Sequence, residues 1–151
     1  ADAVMRLTAD CPLLDPAVLS IVGAAVRSGS VDYVSTSTPR TLPRGLDCEA
    51  LPISTLHRLD AVARDYHRTH VTSYAYSHPE EFRCAGITFA PDAADLRVTV
   101  DTPEDLALVR AVVAGLGDGP HPWQSVVAFL RSRPDVVALN ASIEQKALAE
   151  G

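Results

Sequence analysis

The sequence contains one short phrase twice. Residues 6–12 read RLTADCP and residues 97–103 read RVTVDTP, so Asp10 and Asp101 each follow a short apolar run and precede a proline by two residues. Because side chains alternate along a strand, the arginine, threonine and aspartate of each copy would share one face. Two carboxylates that meet repel each other unless a cation lies between them, and Mg²⁺ prefers oxygen ligands of this kind. The phrase therefore predicts a magnesium site and phosphoryl or nucleotidyl transfer.

A structural interpretation of the same aspartates stays open. An aspartate shortly before a proline often caps a helix and then needs no further function. Asp15 and Thr102 can themselves cap the helices that follow, which leaves Asp10 and Asp101 without that explanation. The residues alone support both interpretations.

The pattern of apolar residues around the two copies predicts an α/β fold. Helix starts are marked by Asp15-Pro16 and by Thr102-Pro103. Strands are expected at residues 3–8, 32–36, 46–51, 82–90 and 96–100, and helices at residues 16–29, 54–64, 102–116, 123–131 and 140–149, with a short helix within 69–82. This order predicts a mostly parallel sheet covered by helices, with both aspartates at its carboxyl edge, where ligands of such sheets bind.

Composition narrows the class of protein. The chain has 151 residues, a net charge of −6 and a pI near 5.2, which argues against the basic surface of a nucleic-acid-binding protein. Its three cysteines form no CxxC pair, so the sequence predicts neither a disulfide framework nor a zinc site and fits a reducing compartment. No apolar run is long enough for a membrane span, and no signal peptide is evident. We therefore expect a cytoplasmic protein that binds neither nucleic acid nor membrane.

Five motifs in order carry a resemblance to a known family. RLTADCPLLDP, DYVST, PRTLPRGLDCEAL, THVTSYAYSHPEEF and RVTVDTPEDLALVR resemble the spore-coat polysaccharide cytidylyltransferase-like family, over about residues 3–116. That family is related to the synthetases of CMP-sialic acid and CMP-KDO. The resemblance implies a Rossmann-like fold of the GT-A-like nucleotide-diphospho-sugar transferase type, a three-layer sandwich with a mixed, mostly parallel sheet. It also implies transfer of CMP from CTP to an acidic sugar, with release of pyrophosphate, in bacterial polysaccharide or surface-glycan biosynthesis.

The same resemblance implies roles for particular residues. Asp10 and Asp101 match the two Mg²⁺-binding aspartates of the wider superfamily, and no catalytic residue is assigned beyond these ligands. Within PRGLDCE, Arg44, Asp47 and Glu49 match a motif that faces the acceptor sugar, and His70 falls in a motif near the same cleft. Each of these four residues also has an ordinary interpretation as a solvated or half-buried polar side chain.

The sequence departs from the family in one respect. Family members begin with a strand and a loop of the form ARxxSxRLPGK, which cradles the nucleotide phosphates, and no such stretch occurs here. We therefore expect residues 1–116 to be the C-terminal portion of a nucleotidyltransferase domain and residues 117–151 to be a helical extension. On this interpretation the N-terminal part of the domain is missing, and the chain alone lacks the phosphate loop needed for turnover.

Two other functions remain open. A GT-A-type glycosyltransferase would use similar acidic metal ligands, although the usual Asp-x-Asp triplet is absent and Asp47-Cys48-Glu49 is its nearest equivalent. A catalytically inactive domain kept for assembly is the third class, because the apolar runs VVAFL, VVALN and IEQKAL could form a contact between copies. We expect a homodimer in either case.

Overall fold

A mixed four-stranded sheet forms the centre of the fold. The computed structural model describes residues 2–143 and contains strands β1 (Ala3–Arg6), β2 (Tyr33–Ser35), β3 (Glu49–Pro52) and β4 (Cys84–Gly86). They lie in the order β1-β3-β2-β4, with β3 antiparallel to both β1 and β2, and β2 parallel to β4. The predicted α/β class with a mixed sheet is confirmed.

The prediction that the sheet is mostly parallel is wrong for the described residues. Two of the three strand pairings are antiparallel. Residues 36–48, which connect β2 to β3, contain no helix. Parallel neighbours need a crossover connection, usually a helix, whereas a loop simply reverses the chain, so β3 returns antiparallel beside β2.

Helices cover the sheet and extend the fold beyond it. They are α1 (Pro16–Arg27), α2 (Ile53–Val62), α3 (Tyr66–Thr69), α4 (Ser73–Ser77), α5 (Pro103–Leu116), α6 (Trp123–Ser132) and α7 (Pro134–Val137). Both predicted helix starts are confirmed: the Asp15 carboxylate accepts a hydrogen bond from the Ala17 amide at 2.7 Å, and Thr102 forms a capping box with Asp105. Residues 140–143 are not helical, and the rest of the helix predicted at 140–149 lies outside the described residues.

The predicted strand at residues 96–100 does not join the sheet. Its β-type pairing is an isolated bridge between Arg44 and Arg97. Its backbone bonds instead to the loop before β3, through Arg44 N to Leu96 O at 2.9 Å, and to the turn after β1, through Val100 N to Asp10 O at 2.8 Å. The apolar alternation here reflects burial of Val98, which is 0% exposed, between that loop and the helices.

Three hydrophobic clusters stabilise this arrangement. One lies between α1 and the sheet around Val22 and Val34, and a second lies on the other face around Leu59. The third and largest joins α5 to α6 and α7, with Leu108 and Trp123 among its members. Helices α6 and α7 of the predicted extension thus share the core of α5, while the boundary at residue 117 stays a prediction. No helix within residues 2–143 is long and apolar enough to cross a bilayer.

Candidate active site

A polar cleft of about 460 Å³ opens at the sheet edge where β1 and β2 end and β3 begins. Five of the six residues predicted from sequence line it. They are Asp10, Arg44, Asp47, Glu49 and His70. The sixth, Asp101, is not among the lining residues. The structure thus brings together side chains from three separate motifs, and their individual roles stay predictions.

Asp10 lies where the two copies of the repeated phrase meet. The Val100 amide donates to the Asp10 carbonyl at 2.8 Å, and Thr99 Oγ1 donates to Asp10 Oδ2 at 3.0 Å. Partial burial acts to raise the pKa of Asp10, but hydrogen bonds from Thr8 and Thr99 outweigh it, so the pKa is lowered. Asp10 is therefore a carboxylate at neutral pH, which is the form that binds a cation.

Asp101 has a different environment. Its Oδ2 accepts a hydrogen bond from Arg97 Nη2 at 2.7 Å, and its side chain is 46% exposed. Its backbone amide donates to Asp105 Oδ2 at 3.1 Å, so α5 fixes the local chain. Asp101 follows Val100, which is bonded to Asp10, and the two predicted ligands therefore lie on adjoining segments. As a metal ligand, Asp101 would exchange its ion pair with Arg97 for the cation.

The loop between β2 and β3 contributes two arginines to the cleft. Arg40 Nη1 donates to Asp47 Oδ1 at 2.5 Å and so neutralises that carboxylate. In the described part of the chain, the Arg44 guanidinium makes no ion pair and no hydrogen bond. Burial and the neighbouring charge of Arg40 lower the pKa of Arg44. A half-buried arginine without a counter-ion in a cleft favours an anionic ligand.

Glu49 is surrounded by protein donors. Its Oε1 accepts from Arg6 Nη1 at 2.6 Å, while its Oε2 accepts from the Tyr33 hydroxyl at 2.6 Å and from Thr72 Oγ1 at 2.9 Å. Burial and the charge of Glu49 raise the pKa of Tyr33, so Tyr33 stays a donor. Both carboxylate oxygens of Glu49 are engaged inside the protein, and the predicted contact between Glu49 and sugar hydroxyls remains untested.

His70 lines the cleft and carries a buried ring nitrogen. Its ring lies 4.5 Å from the Tyr66 ring, and its Nε2 is buried without a hydrogen-bond partner among residues 2–143. Buried nitrogen atoms of this kind are normally satisfied by protein, water or a ligand. The position fits the predicted substrate-binding role of His70.

Comparison with known proteins finds three that are similar to this chain. The spore coat polysaccharide biosynthesis protein SpsF of Bacillus subtilis is 30% identical over 139 residues, which cover 87% of this chain and 56% of SpsF. The solved structure of a cytidylyltransferase from Leptospira borgpetersenii superposes with a TM-score of 0.89 and 26% identity, over 95% of this chain and 61% of that one. The chain is similar in sequence and fold to cytidylyltransferase-like proteins. An uncharacterized protein of Methanocaldococcus jannaschii is also similar, with 26% identity over 99% of this chain and 61% of that protein. No family model matches.

The chain spans between 56% and 61% of the length of these relatives. Its cleft is lined by Arg44 and by Asp10, whose carboxyl group is ionised at neutral pH.

Sequence reasoning did not assign Arg6, Tyr33, Arg40 and Thr72 to this cleft. Arg6 stands at the start of the repeated phrase, Tyr33 lies in DYVST, and Arg40 precedes Arg44 in the same loop. The motifs that carried the family resemblance thus contained these residues. What they lacked was any indication that Arg6 and Glu49 face each other across paired strands.

Proposed function

We propose that this chain carries the metal-binding and acceptor-binding part of a cytidylyltransferase site. The reaction is transfer of CMP from CTP to an acidic sugar, with release of pyrophosphate, in polysaccharide or surface-glycan biosynthesis. The observation that carries the proposal is that one cleft of a cytidylyltransferase-like fold contains an ionised Asp10 and an Arg44 guanidinium that has no partner among residues 2–143. Such a cleft suits an acidic acceptor on one side and a metal-bound phosphate on the other.

The acceptor side depends on Arg44. Its planar guanidinium can bind a sugar carboxylate or phosphate through two parallel hydrogen bonds. Asp47 also lines the cleft, and its Oδ1 is bonded to Arg40. Among residues 2–143, Asp47 Oδ2 has only a long contact of 3.5 Å from the Gly45 amide. That oxygen can accept a hydrogen bond from a sugar hydroxyl. Arg44 would thus select the charge of the acceptor, and Asp47 would orient its ring.

The metal side depends on Asp10 and Asp101. Their carboxylates supply the hard oxygen donors that Mg²⁺ prefers, and their segments adjoin through the bond between Val100 and Asp10. When bound, Mg²⁺ neutralises charge on phosphate oxygens and lowers the barrier to nucleotidyl transfer. Asp10 is ionised and lines the cleft without rearrangement, whereas Asp101 must release Arg97.

The chemical step follows from this arrangement. A hydroxyl of the sugar attacks the α-phosphorus of CTP and releases its proton to solvent, a new P–O bond forms, and the bond to pyrophosphate breaks in line with it. Arg44 and Asp47 hold the acceptor so that its hydroxyl faces the phosphorus, which converts a bimolecular encounter into an oriented reaction. No stretch of this sequence matches the family's phosphate-loop motif, so we assign the binding of the triphosphate to no residue of this chain.

The test uses protein translated from the complete gene. It is incubated with CTP, Mg²⁺ and a panel of sugar acids, and pyrophosphate release is measured. We expect release that depends on both the metal and the acid. Asp10→Asn and Asp101→Asn should each reduce turnover by about a hundredfold or more, since each removes a charged metal ligand. Asp95→Asn, which alters a surface ion pair with Arg131, serves as the control.

Three outcomes would change the proposal. Unchanged turnover of Asp101→Asn would remove its metal role. Release of a nucleoside diphosphate from a nucleotide sugar, without pyrophosphate from CTP, would favour the glycosyltransferase class. If the protein shows neither activity and forms a stable homodimer, a role in assembly would be favoured. Homodimerisation and a cytoplasmic location themselves stay predictions from the sequence.

A further inference from the structure

A hydrogen-bond network centred on Glu49 holds Arg6 at the cleft. Arg6 ends β1 and is the register partner of Glu49, the first residue of β3. Glu49 bonds to Arg6 through Oε1 at 2.6 Å and to Tyr33 and Thr72 through Oε2 at 2.6 Å and 2.9 Å. Tyr33 and Thr72 are 2% and 4% exposed, so two buried donors from other parts of the fold fix the carboxylate.

The exposure of the two charged partners is unequal. The Glu49 side chain is 14% exposed and that of Arg6 is 44% exposed. A carboxylate has about four lone-pair sites, and three protein donors already use most of those on Glu49. A guanidinium has five N–H donors, and Glu49 takes one from Arg6. The capacity for new hydrogen bonds in this pair therefore belongs to Arg6.

Arg6 also lies near the predicted metal side of the cleft. Its charge contributes to the lowered pKa of Asp10, after the hydrogen bonds from Thr8 and Thr99, and both Arg6 and Arg44 line the cleft. The third arginine, Arg40, is engaged by Asp47. An anion in this cleft can thus meet Arg44, which has no counter-ion in the part of the chain that the structure describes, and Arg6, whose direction is fixed by its counter-ion.

We infer that Arg6 determines acceptor specificity by donating hydrogen bonds to the acidic group of the sugar, and that Glu49 is a positioning residue that acts through Arg6. This inference rests on the proposed function, since it concerns the acceptor of the same site. It assigns Glu49 to orienting an arginine rather than to binding sugar hydroxyls. Tyr33 and Thr72 support that orientation from the buried side of the network.

The test compares two probes that differ in charge and not in size. Binding of D-glucuronate and of its neutral amide, D-glucuronamide, is measured by calorimetry on protein from the complete gene. In Arg6→Gln we expect the affinity for glucuronate to fall by about tenfold, the lower range for a hydrogen bond between charged groups, because Arg6 is partly exposed. The affinity for glucuronamide should change by less than about twofold, since the amide lacks the charge.

Matched variants separate geometry from net charge. Arg6→Lys keeps the positive charge and removes the planar fork, so we expect it to lose most of the preference for glucuronate; full retention would show that charge alone acts. Arg131→Gln is the control, because Arg131 is 48% exposed, forms a similar ion pair with Asp95 and lies on α6. It should leave both affinities unchanged. If Arg6→Gln loses the native circular dichroism spectrum, the affinities for glucuronate and glucuronamide are compared in Arg6→Lys instead.

Glu49→Gln gives a prediction whose sign is diagnostic. If Glu49 only balanced charge, its neutralisation would strengthen the field of Arg6 and raise the affinity for glucuronate. If Glu49 positions Arg6, loss of the charged anchor disorders the guanidinium and lowers that affinity. We expect a decrease of about three- to tenfold, the range for a lost charge-assisted hydrogen bond at a partly exposed site. An increase would overturn the positioning role.

The outcomes distinguish this inference from the proposed function. Equal affinities of the wild-type protein for both probes would overturn the acidic acceptor, and the role of Arg6 with it. A wild-type preference for glucuronate that disappears in Arg44→Gln and persists in Arg6→Gln would overturn the role of Arg6 and leave the proposed function in place. Loss of the preference in both variants supports both.

Discussion

Replacing Asp105 by asparagine should destabilise the fold strongly. Asp105 is 0% exposed in the first turn of α5. It accepts hydrogen bonds from Arg97 Nε and Nη2 at 2.8 Å, from Asn140 Nδ2 at 2.7 Å and from the amides of Asp101 and Thr102 at 3.1 and 3.2 Å. Asparagine keeps the shape of the side chain. It removes the charge and turns an N–H group toward these donors.

The expected loss follows from the burial of the pair. Removing one partner of a buried ion pair typically costs about 3–5 kcal/mol in the free energy of unfolding. The Arg97 side chain is 12% exposed and keeps Asp101 as a second partner, so we expect the lower value, about 3 kcal/mol. The capping box of α5 is weakened in the same change, because Asp105 is its acidic member.

The pH dependence gives the prediction a second measurable part. Burial acts to raise the pKa of Asp105, but hydrogen bonds from Arg97 and Asn140 outweigh it and hold the pKa well below its usual range. A group whose pKa is depressed by folding contributes stability that is complete above its unfolded pKa of about 3.9 and is lost as the pH falls toward the folded pKa. The difference between wild type and Asp105→Asn should therefore be constant from about pH 5 to pH 7 and should shrink below about pH 4.

Urea unfolding at several pH values measures both parts. Asp95→Asn is the control, since Asp95 pairs with Arg131 at the surface and its side chain is 60% exposed; no resolvable change in the midpoint is expected there. A loss below about 1 kcal/mol for Asp105→Asn at pH 7 would refute the argument from burial. A loss that stays the same at pH 3 would refute the assignment of the stabilisation to the ionised carboxylate.

Two further experiments test the loop between β2 and β3 and the burial of Cys48, which lines the cleft. In thermal unfolding, Gly45→Ala should lower stability by about 2 kcal/mol or more, because Gly45 has φ +102° and a Cβ there would overlap the Thr99 backbone. Gly29→Ala is the control and should lose less stability, because Gly29 has φ +73° but open space around it. Burial raises the pKa of Cys48 to about 12, so iodoacetamide at pH 8 should label the exposed Cys84 first. Labelling is followed by peptide mass spectrometry, and earlier labelling of Cys48 would contradict its burial.

The features that the sequence predicted well are local ones. Both helix starts depend on side chains within three residues of the amides that they cap, so Asp15 and Thr102 could be identified without knowledge of the fold. The pairing of strands depends on distant partners. Nothing in residues 49–52 indicates that β3 lies between β1 and β2, and the prediction of a mostly parallel sheet was therefore wrong for residues 2–143.

The candidate site shows the same division. The family motifs placed Arg44, Asp47 and Glu49 near one another, and all three line the cleft. Their chemical states depend on partners that sequence spacing does not indicate. Arg40 takes one carboxylate and Arg6 takes the other, while Arg44 is left without a counter-ion in the described part of the chain. Which arginine can bind a ligand therefore depends on loop conformation and strand register.

The repeated phrase shows why residue type alone does not determine role. Arg6 and Arg97 hold equivalent places in the phrase, yet Arg6 faces Glu49 at a cleft and Arg97 is buried against Asp105. The paired aspartates differ accordingly, because Asp10 bonds to threonine hydroxyls and Asp101 bonds to an arginine. A metal would therefore recruit Asp10 directly and Asp101 only in competition with Arg97. Substitution of Arg97 should then strengthen metal binding by Asp101, although it lowers the stability of the fold. If Asp101 had only a structural role, the substitution would lower stability without strengthening metal binding.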